Sequence, residues 1–228
     1  MTELQTFDPI WEKKYAAGHM ERYPWDVVVS FVFQNLPKDK SRSVVRILEV
    51  GCGTGSNLWF AAREGFSVAG VDGSRTAIDV AQKRFKQDGL VGDLRVADFT
   101  SLPFDDNEFD LVIDRGSLVC CGLEMAKQAI SEISRVTKQR GRFFFNPYSD
   151  RHSSNSAGRQ GGDGLTLDIT AGSLVGVGQL CFYGRSQVVT ALHAGGFALI
   201  SLKHMEQAEV LEPGWLVHAE WRAVAEKV

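Results

Sequence analysis

A chain of 228 residues with 44% hydrophobic and 23% charged side chains is long enough to bury a single α/β core, and that balance excludes global disorder. The formal charge of −3, with no long Lys/Arg run, argues against a nucleic-acid surface. No apolar stretch reaches the roughly 20 residues that span a bilayer, so membrane insertion is not expected.

The four cysteines (Cys52, Cys120, Cys121 and Cys181) form no CxxC pair. They make neither a disulfide framework nor a zinc set, and free thiols in a reducing compartment are expected. Residues 1–9 are polar and acidic, unlike the basic and then apolar start of a secretory signal, and a cytoplasmic location is expected.

Residues 1–43 read as an N-terminal helical cap. Trp11 and Tyr15 share one helical face; Trp25, Val28, Val32 and Leu36 share another. The apolar run 44–50 is a buried strand ending in Gly51-Cys52-Gly53-Thr54-Gly55, and a short helix follows through Leu58 to Arg63. A second strand covers 66–71. Ser74 then caps a helix whose Ile78, Ala81 and Phe85 face one way, with Gly89 as its stop. Strands are predicted at 94–97, 109–113 and 142–145. A helix with Met125, Ala129, Ile133 and Val136 inward precedes the last of these. Strand and helix in alternation imply a mostly parallel, doubly wound α/β sheet covered on both faces, with a cofactor-binding core at 44–146.

Residues 147–184 form an insertion on the acceptor side. Within it, 149–164 are rich in Ser, Gly, Asn and charge and too long for an ordinary connection, so the segment is either an ordered lid or mobile. Residues 185–228 carry a helix over 187–193 and two further strands, 197–202 and 215–225. The whole chain is expected to be one domain, and a homodimer is left open.

The chemistry starts at Glu49-Val50-Gly51-Cys52-Gly53-Thr54-Gly55, between a strand and a helix. Glycines there let the chain turn tightly and let a ligand approach the backbone at the carboxyl edge of the sheet. Asp72 ends the second strand, 21 residues after Gly51. A carboxylate at that place can accept hydrogen bonds from both ribose hydroxyls of an adenosine. A dinucleotide site favours G-x-G-x-x-G, whereas here Ser56 takes the place of the last glycine; that favours a cofactor without phosphate.

In these motifs the chain resembles the class I S-adenosylmethionine-dependent methyltransferases. Glu49 to Gly55 is similar to the family's first motif, with Ser56-Asn57 directly after it. Asp72-Gly73 is similar to the ribose-holding motif, and Asp98-Phe99 to the motif that meets the adenine. The stretches Leu102-Pro103-Phe104-Asp105, Phe109-Asp110-Leu111-Val112 and Glu132 to Lys138 followed by Gly141 are also typical. The resemblance implies a seven-stranded sheet with an antiparallel last strand and S-adenosyl-L-methionine as cofactor. It further implies a cofactor site of Glu49, Gly51, Cys52, Gly53, Gly55, Asn57, Asp72, Gly73, Asp98, Phe99 and Asp114. Tyr15 and Arg22 from the cap are added to that site, Arg22 opposite the methionine carboxylate.

Methyl transfer from a sulfonium requires alignment of acceptor, methyl and sulfur, and a base only where the acceptor must lose a proton. Asp114, after the fourth strand, and His152, in the polar segment, are the candidate catalytic residues. No carboxylate pair is spaced for a metal, so none is expected. Asn146-Pro147-Tyr148 stands after the fifth strand rather than the fourth, and reads as a strand-ending turn beside the pocket. The expected partner is a small-molecule acceptor: a sugar, a lipid precursor or another metabolite. Two further readings stay open: a nicotinamide-dependent oxidoreductase, and a protein that binds S-adenosylmethionine without turnover.

Overall fold

Two short helices, α1 (Ile10–Ala16) and α2 (Asp26–Gln34), precede the first strand in the computed structural model, which describes residues 7–211 and 216–228. Helix α1 buries none of its residues. Helix α2 buries Val27, Val28, Phe31 and Val32, spaced at i, i+1, i+4 and i+5, and Phe31 stacks on Phe144 with ring centroids 5.2 Å apart.

The alternation then follows: β1 (Arg46–Val50), α3 (Ser56–Arg63), β2 (Ser67–Asp72), α4 (Arg75–Gln87), β3 (Asp93–Val96), β4 (Phe109–Asp114), α5 (Leu123–Val136) and β5 (Thr137–Phe145). The insertion supplies three short strands, β6 (Arg159–Gln160), β7 (Leu165–Leu167) and β8 (Leu180–Cys181). Helix α6 (Arg185–Ala194) and the strands β9 (Phe197–Ala208) and β10 (Val217–Lys227) close the chain.

The large sheet has seven strands in the order β3-β2-β1-β4-β5-β10-β9, with β10 antiparallel to both neighbours. This is the Rossmann-like, doubly wound α/β arrangement expected from the sequence. Strand order reverses at β1, whose Val50 lies opposite Val71 of β2 and Asp114 of β4. That switch point opens a crevice at the carboxyl ends of the strands. Strand β1 is apolar on both faces because both are covered. Leu48 and Val50 join one core with Ile130, Ile133 and Phe145, while Ile47 joins the other with Val32, Leu58 and Ile78.

Several boundaries differ from the sequence reading, among them those of β5, β9 and β10. Strand β5 starts at Thr137 rather than 142; a register shift against β4 absorbs the extra residues, with Arg140 at φ 63°. Strand β9 runs on to Ala208 and pairs with β10 along its length. Trp215, predicted to start the last strand, lies outside the described residues, and β10 begins at Val217.

The polar insertion is ordered. β6, β7 and β8 form an antiparallel sheet, and Leu165, Ile169, Leu174 and Leu180 pack into the larger core. Among the described residues, no helix is long and apolar enough to cross a membrane.

Candidate active site

The turn after β1 places backbone where a side chain has no room. Gly51 and Gly53 have φ of 64° and 51°, a region L residues rarely adopt. A Cβ on Gly51 would fall 2.1 Å from the Ser117 Cβ, and one on Gly53 would fall 2.7 Å from the Tyr15 hydroxyl. Ser117 is drawn in because its Oγ lies 2.9 Å from the Val50 carbonyl and within hydrogen-bond reach of Asp114, its one hydrogen serving either acceptor.

Three carboxylates end the strands around this turn. Asp72, 8% exposed, accepts from the Ser74 N–H at 2.8 Å and the Gly53 N–H at 2.9 Å. Burial raises its pKa, and these two bonds partly offset the rise. A carboxylate offers about four acceptor directions, so about half of this one remains for a ligand.

Glu49, 3% exposed, accepts from Asn57 Nδ2 at 2.6 Å on one oxygen. Its other oxygen is buried with no hydrogen-bond partner among the described residues, and burial pushes its pKa up to about 8. Asn57 in turn accepts from the Trp25 N–H at 3.0 Å, which ties the start of α2 to α3.

Asp114, fully buried, uses one oxygen to accept from the backbone N–H groups of Ser117 at 2.9 Å and Leu118 at 3.0 Å. Burial raises its pKa as well. The geometry makes it the anchor of the 115–118 turn.

Two adjoining cavities, of about 130 and about 500 Å³, open over these groups. Asp72, Gly73 and Phe99 line the smaller. Glu49, Cys52, Gly53, Asn57, Tyr148 and His218 line the larger. Trp11, Tyr15, Gly51, Arg115, Gly116 and Cys120 border both, so the two form one cleft.

Helix α1 roofs the cleft through Trp11 and Tyr15. Its Glu12 is held by hydroxyl donors Ser74 and Thr76 at the start of α4. The Tyr15 phenol is raised far above its ordinary pKa by burial and by the Asp72 charge, so it is a neutral donor. Burial pushes the Cys120 thiol up to about 12, leaving an uncharged wall.

A compact end with a half-satisfied carboxylate, a glycine waist and a wider polar end fits a nucleoside joined to an amino-acid arm. The unpartnered Glu49 oxygen marks a place for a cationic or donor group on that arm.

Sequence and structure part company at four residues. Arg22 is exposed and does not line the cleft; its carbonyl accepts from Arg84 at 2.5 Å. The cation that does border both cavities is Arg115. Its guanidinium carbon lies 4.1 Å from the Trp25 ring centroid, and its Nε is buried without a partner among the described residues.

Asp98 is exposed, and one of its oxygens accepts from the Thr100 N–H at 2.9 Å and hydroxyl at 2.7 Å; Phe99 lines the cleft. His152 is 2% exposed, not solvated. Its Nδ1 accepts from the Ser154 N–H at 3.0 Å and its Nε2 lies 3.3 Å from Ser173 Oγ. Burial and the neighbouring His218 lower its pKa to about 4. It is a structural histidine behind Tyr148. Asp114, read as a base, holds the 115–118 turn with one oxygen, and its other oxygen is buried without a partner among the described residues.

The sequence reading also missed His218 and Glu220 of β10. Glu220 is buried between the Arg222 Nε at 2.7 Å, the His218 Nε2 at 3.6 Å and the Arg115 Nη2 at 3.7 Å. Burial alone would raise its pKa, but these partners hold it at about 2. The available signal was the alternation of polar His218, Glu220 and Arg222 with buried Ala219, Trp221 and Ala223.

Residues 48–145 match the family model described as a methyltransferase domain. A putative methyltransferase of Geobacillus sp. (strain WCH70) is 30% identical over 136 residues, 57% of this chain and 53% of the relative. The phthiotriol/phenolphthiotriol dimycocerosates methyltransferase of Mycobacterium tuberculosis is 31% identical over 112 residues, 48% of this chain and 39% of the relative. This chain spans about half or less of the length of these curated relatives.

Among solved structures, a SAM-dependent methyltransferase from Methanosarcina mazei superposes with a TM-score of 0.70 at 19% identity, covering 87% of this chain and 97% of that one. By its matched segment the chain is similar to methyltransferase domains, and by its strand order and this superposition it has the Rossmann-like fold.

Proposed function

We propose that the chain transfers the methyl group of S-adenosylmethionine to a small-molecule acceptor. The observation that carries this reading is the continuous cleft over the β1 switch point, with Asp72 at its narrow end and the wider, aromatic-walled cavity beyond the Gly51 turn. Asp72 would hold the ribose hydroxyls, and Phe99 would lie against the adenine. The Gly51–Gly53 backbone would pass under the thioether arm, Glu49 would face its ammonium and Arg115 its carboxylate. When bound, the cofactor supplies an activated methyl on a positively charged sulfur.

The protein's own part is to position and to exclude water. Trp11 and Tyr15 close the cleft from above, and Tyr148 and Val177 wall the acceptor side. Orientation of this kind is worth about 7–11 kcal/mol of barrier. A volume of about 500 Å³, shared by the amino-acid arm and the acceptor, suits a metabolite-sized molecule or the end of a longer one. The Mycobacterium tuberculosis relative, named for methylating phthiotriol and phenolphthiotriol dimycocerosates, supports an acceptor of that class.

Calorimetric titration with S-adenosylhomocysteine tests the reading. The wild type should bind, and Asp72→Ala should lose at least roughly tenfold in affinity, since a hydrogen bond to a charged group is worth about 1.5–3 kcal/mol. Equal affinity in the two proteins would remove the ribose assignment and the reading built on it.

A further inference from the structure

The wide end of the cleft carries a base that the cofactor does not need. On β10, His218, Glu220 and Arg222 share one face, and Ala219, Trp221 and Ala223 point into the core on the other. Arg222 takes one Glu220 oxygen at 2.7 Å. The second Glu220 oxygen faces His218 Nε2 at 3.6 Å and Arg115 Nη2 at 3.7 Å. An ionised carboxylate only accepts, so the hydrogen of a neutral His218 sits on Nε2 and the lone pair on Nδ1. Nδ1 has no hydrogen bond among the described residues, and the imidazole lines the cavity.

The remaining groups packed on this ring do not compete for a proton. Tyr148 lies edge-on at 5.8 Å between ring centroids, and burial raises its pKa. His152 lies at 5.1 Å with both nitrogens engaged. Arg222 is committed to Glu220, and the Arg115 guanidinium, already charged, comes no nearer than 3.7 Å to it. The same cavity is lined by the rings of Trp11, Tyr15 and Trp25, with Val177 and Leu180 from the insertion. Flat aromatic walls favour a flat conjugated guest.

We propose that His218 is the general base for methylation of a hydroxyl carried on a planar, conjugated ring, with Glu220 as its positioning residue; this rests on the methyl-transfer reading above. The hydroxyl proton passes to Nδ1 as its oxygen bonds the methyl carbon. The carbon–sulfur bond breaks with its electron pair left on sulfur, and the imidazolium, steadied by Glu220, later returns its proton to water.

The test needs no turnover. Protein loaded with S-adenosylhomocysteine is titrated with 4-nitrophenol, whose ionised form absorbs in the visible, at a pH where the free phenol is mostly neutral. The wild type should bind it and raise its ionised fraction. His218→Gln should lower the ionised fraction of the bound phenol by roughly tenfold, the equivalent of one pKa unit. Its affinity for S-adenosylhomocysteine should stay within about twofold of wild type.

Glu220→Gln should lower that fraction in the same direction, and His218→Asn replaces His218→Gln if Gln alters S-adenosylhomocysteine affinity. Equal ionisation of bound phenol in wild type and variant overturns the base assignment. Failure of 4-nitrophenol to bind overturns the acceptor class. Failure of wild type to bind S-adenosylhomocysteine overturns the underlying reading instead, so the two failures are distinguishable.

Discussion

Glu49 is an ionisable group that the ligand-free chain holds against its own preference, and replacing it by Gln should be stabilising at high pH. One oxygen keeps the Asn57 Nδ2 bond, which a Gln carbonyl also accepts. The other is buried with no partner among the described residues. Its pKa moves from 4.5 to about 8 in the folded chain. At about 1.4 kcal/mol for each tenfold, this sets a ceiling on the order of 5 kcal/mol for the ionised form. The sign follows from proton counting. Below the lower value both folded and unfolded chains carry the proton. Between the two values the folded chain keeps it while the unfolded chain has lost it, so stability falls as pH rises. Above the upper value the penalty is complete.

Urea unfolding of the ligand-free wild type and Glu49→Gln at about pH 5 and about pH 9 measures this by linear extrapolation. The advantage of the variant should grow by about 3–5 kcal/mol across that interval. Stability curves that stay parallel over the whole range would refute the argument.

Arg115→Gln should weaken binding of S-adenosylhomocysteine by roughly tenfold to a hundredfold and leave 5′-methylthioadenosine, which lacks the amino-acid arm, almost unaffected; an equal loss for both would detach Arg115 from the carboxylate. Tyr183, in the core beneath the insertion, has a buried hydroxyl without a partner among the described residues. Tyr183→Phe should therefore leave thermal stability unchanged or raise it by about 1 kcal/mol, and a clear loss in a denaturation assay would show that the hydroxyl is satisfied.

The parts of the fold that were legible are those dictated by local chemistry. Most of the apolar 44–50 run is a strand buried on both faces, Arg46–Val50, and the glycines after it, with Asp72 ending the next strand, located the crevice. These depend on neighbours a few residues apart and on a turn that other residues fit poorly. What was not legible depends on distant pairing. Arg22 and Arg115 are equally basic on paper, and only the path of the chain over α4 sends one outward and the other into the cleft.

His218 reaches Tyr148 because β10 comes back between β5 and β9, a long-range pairing with no short turn to announce it. The insertion could be read either as an ordered lid or as mobile. Its residues 149–164 are polar, but Leu165, Ile169 and Leu174 just beyond them pack into the core and anchor the segment. His152 follows from that: once the insertion packs, the histidine read as a catalytic candidate lies buried behind Tyr148.

Helix α1 makes a poor foundation and a good clasp. None of its residues is fully buried, yet its two rings and Glu12 bridge the cleft to the start of α4. A molecule enclosed beneath it therefore strengthens the docking of the helix by the same free energy that the docked helix lends to the molecule. Amide exchange along residues 10–16 should slow when S-adenosylhomocysteine fills the cleft.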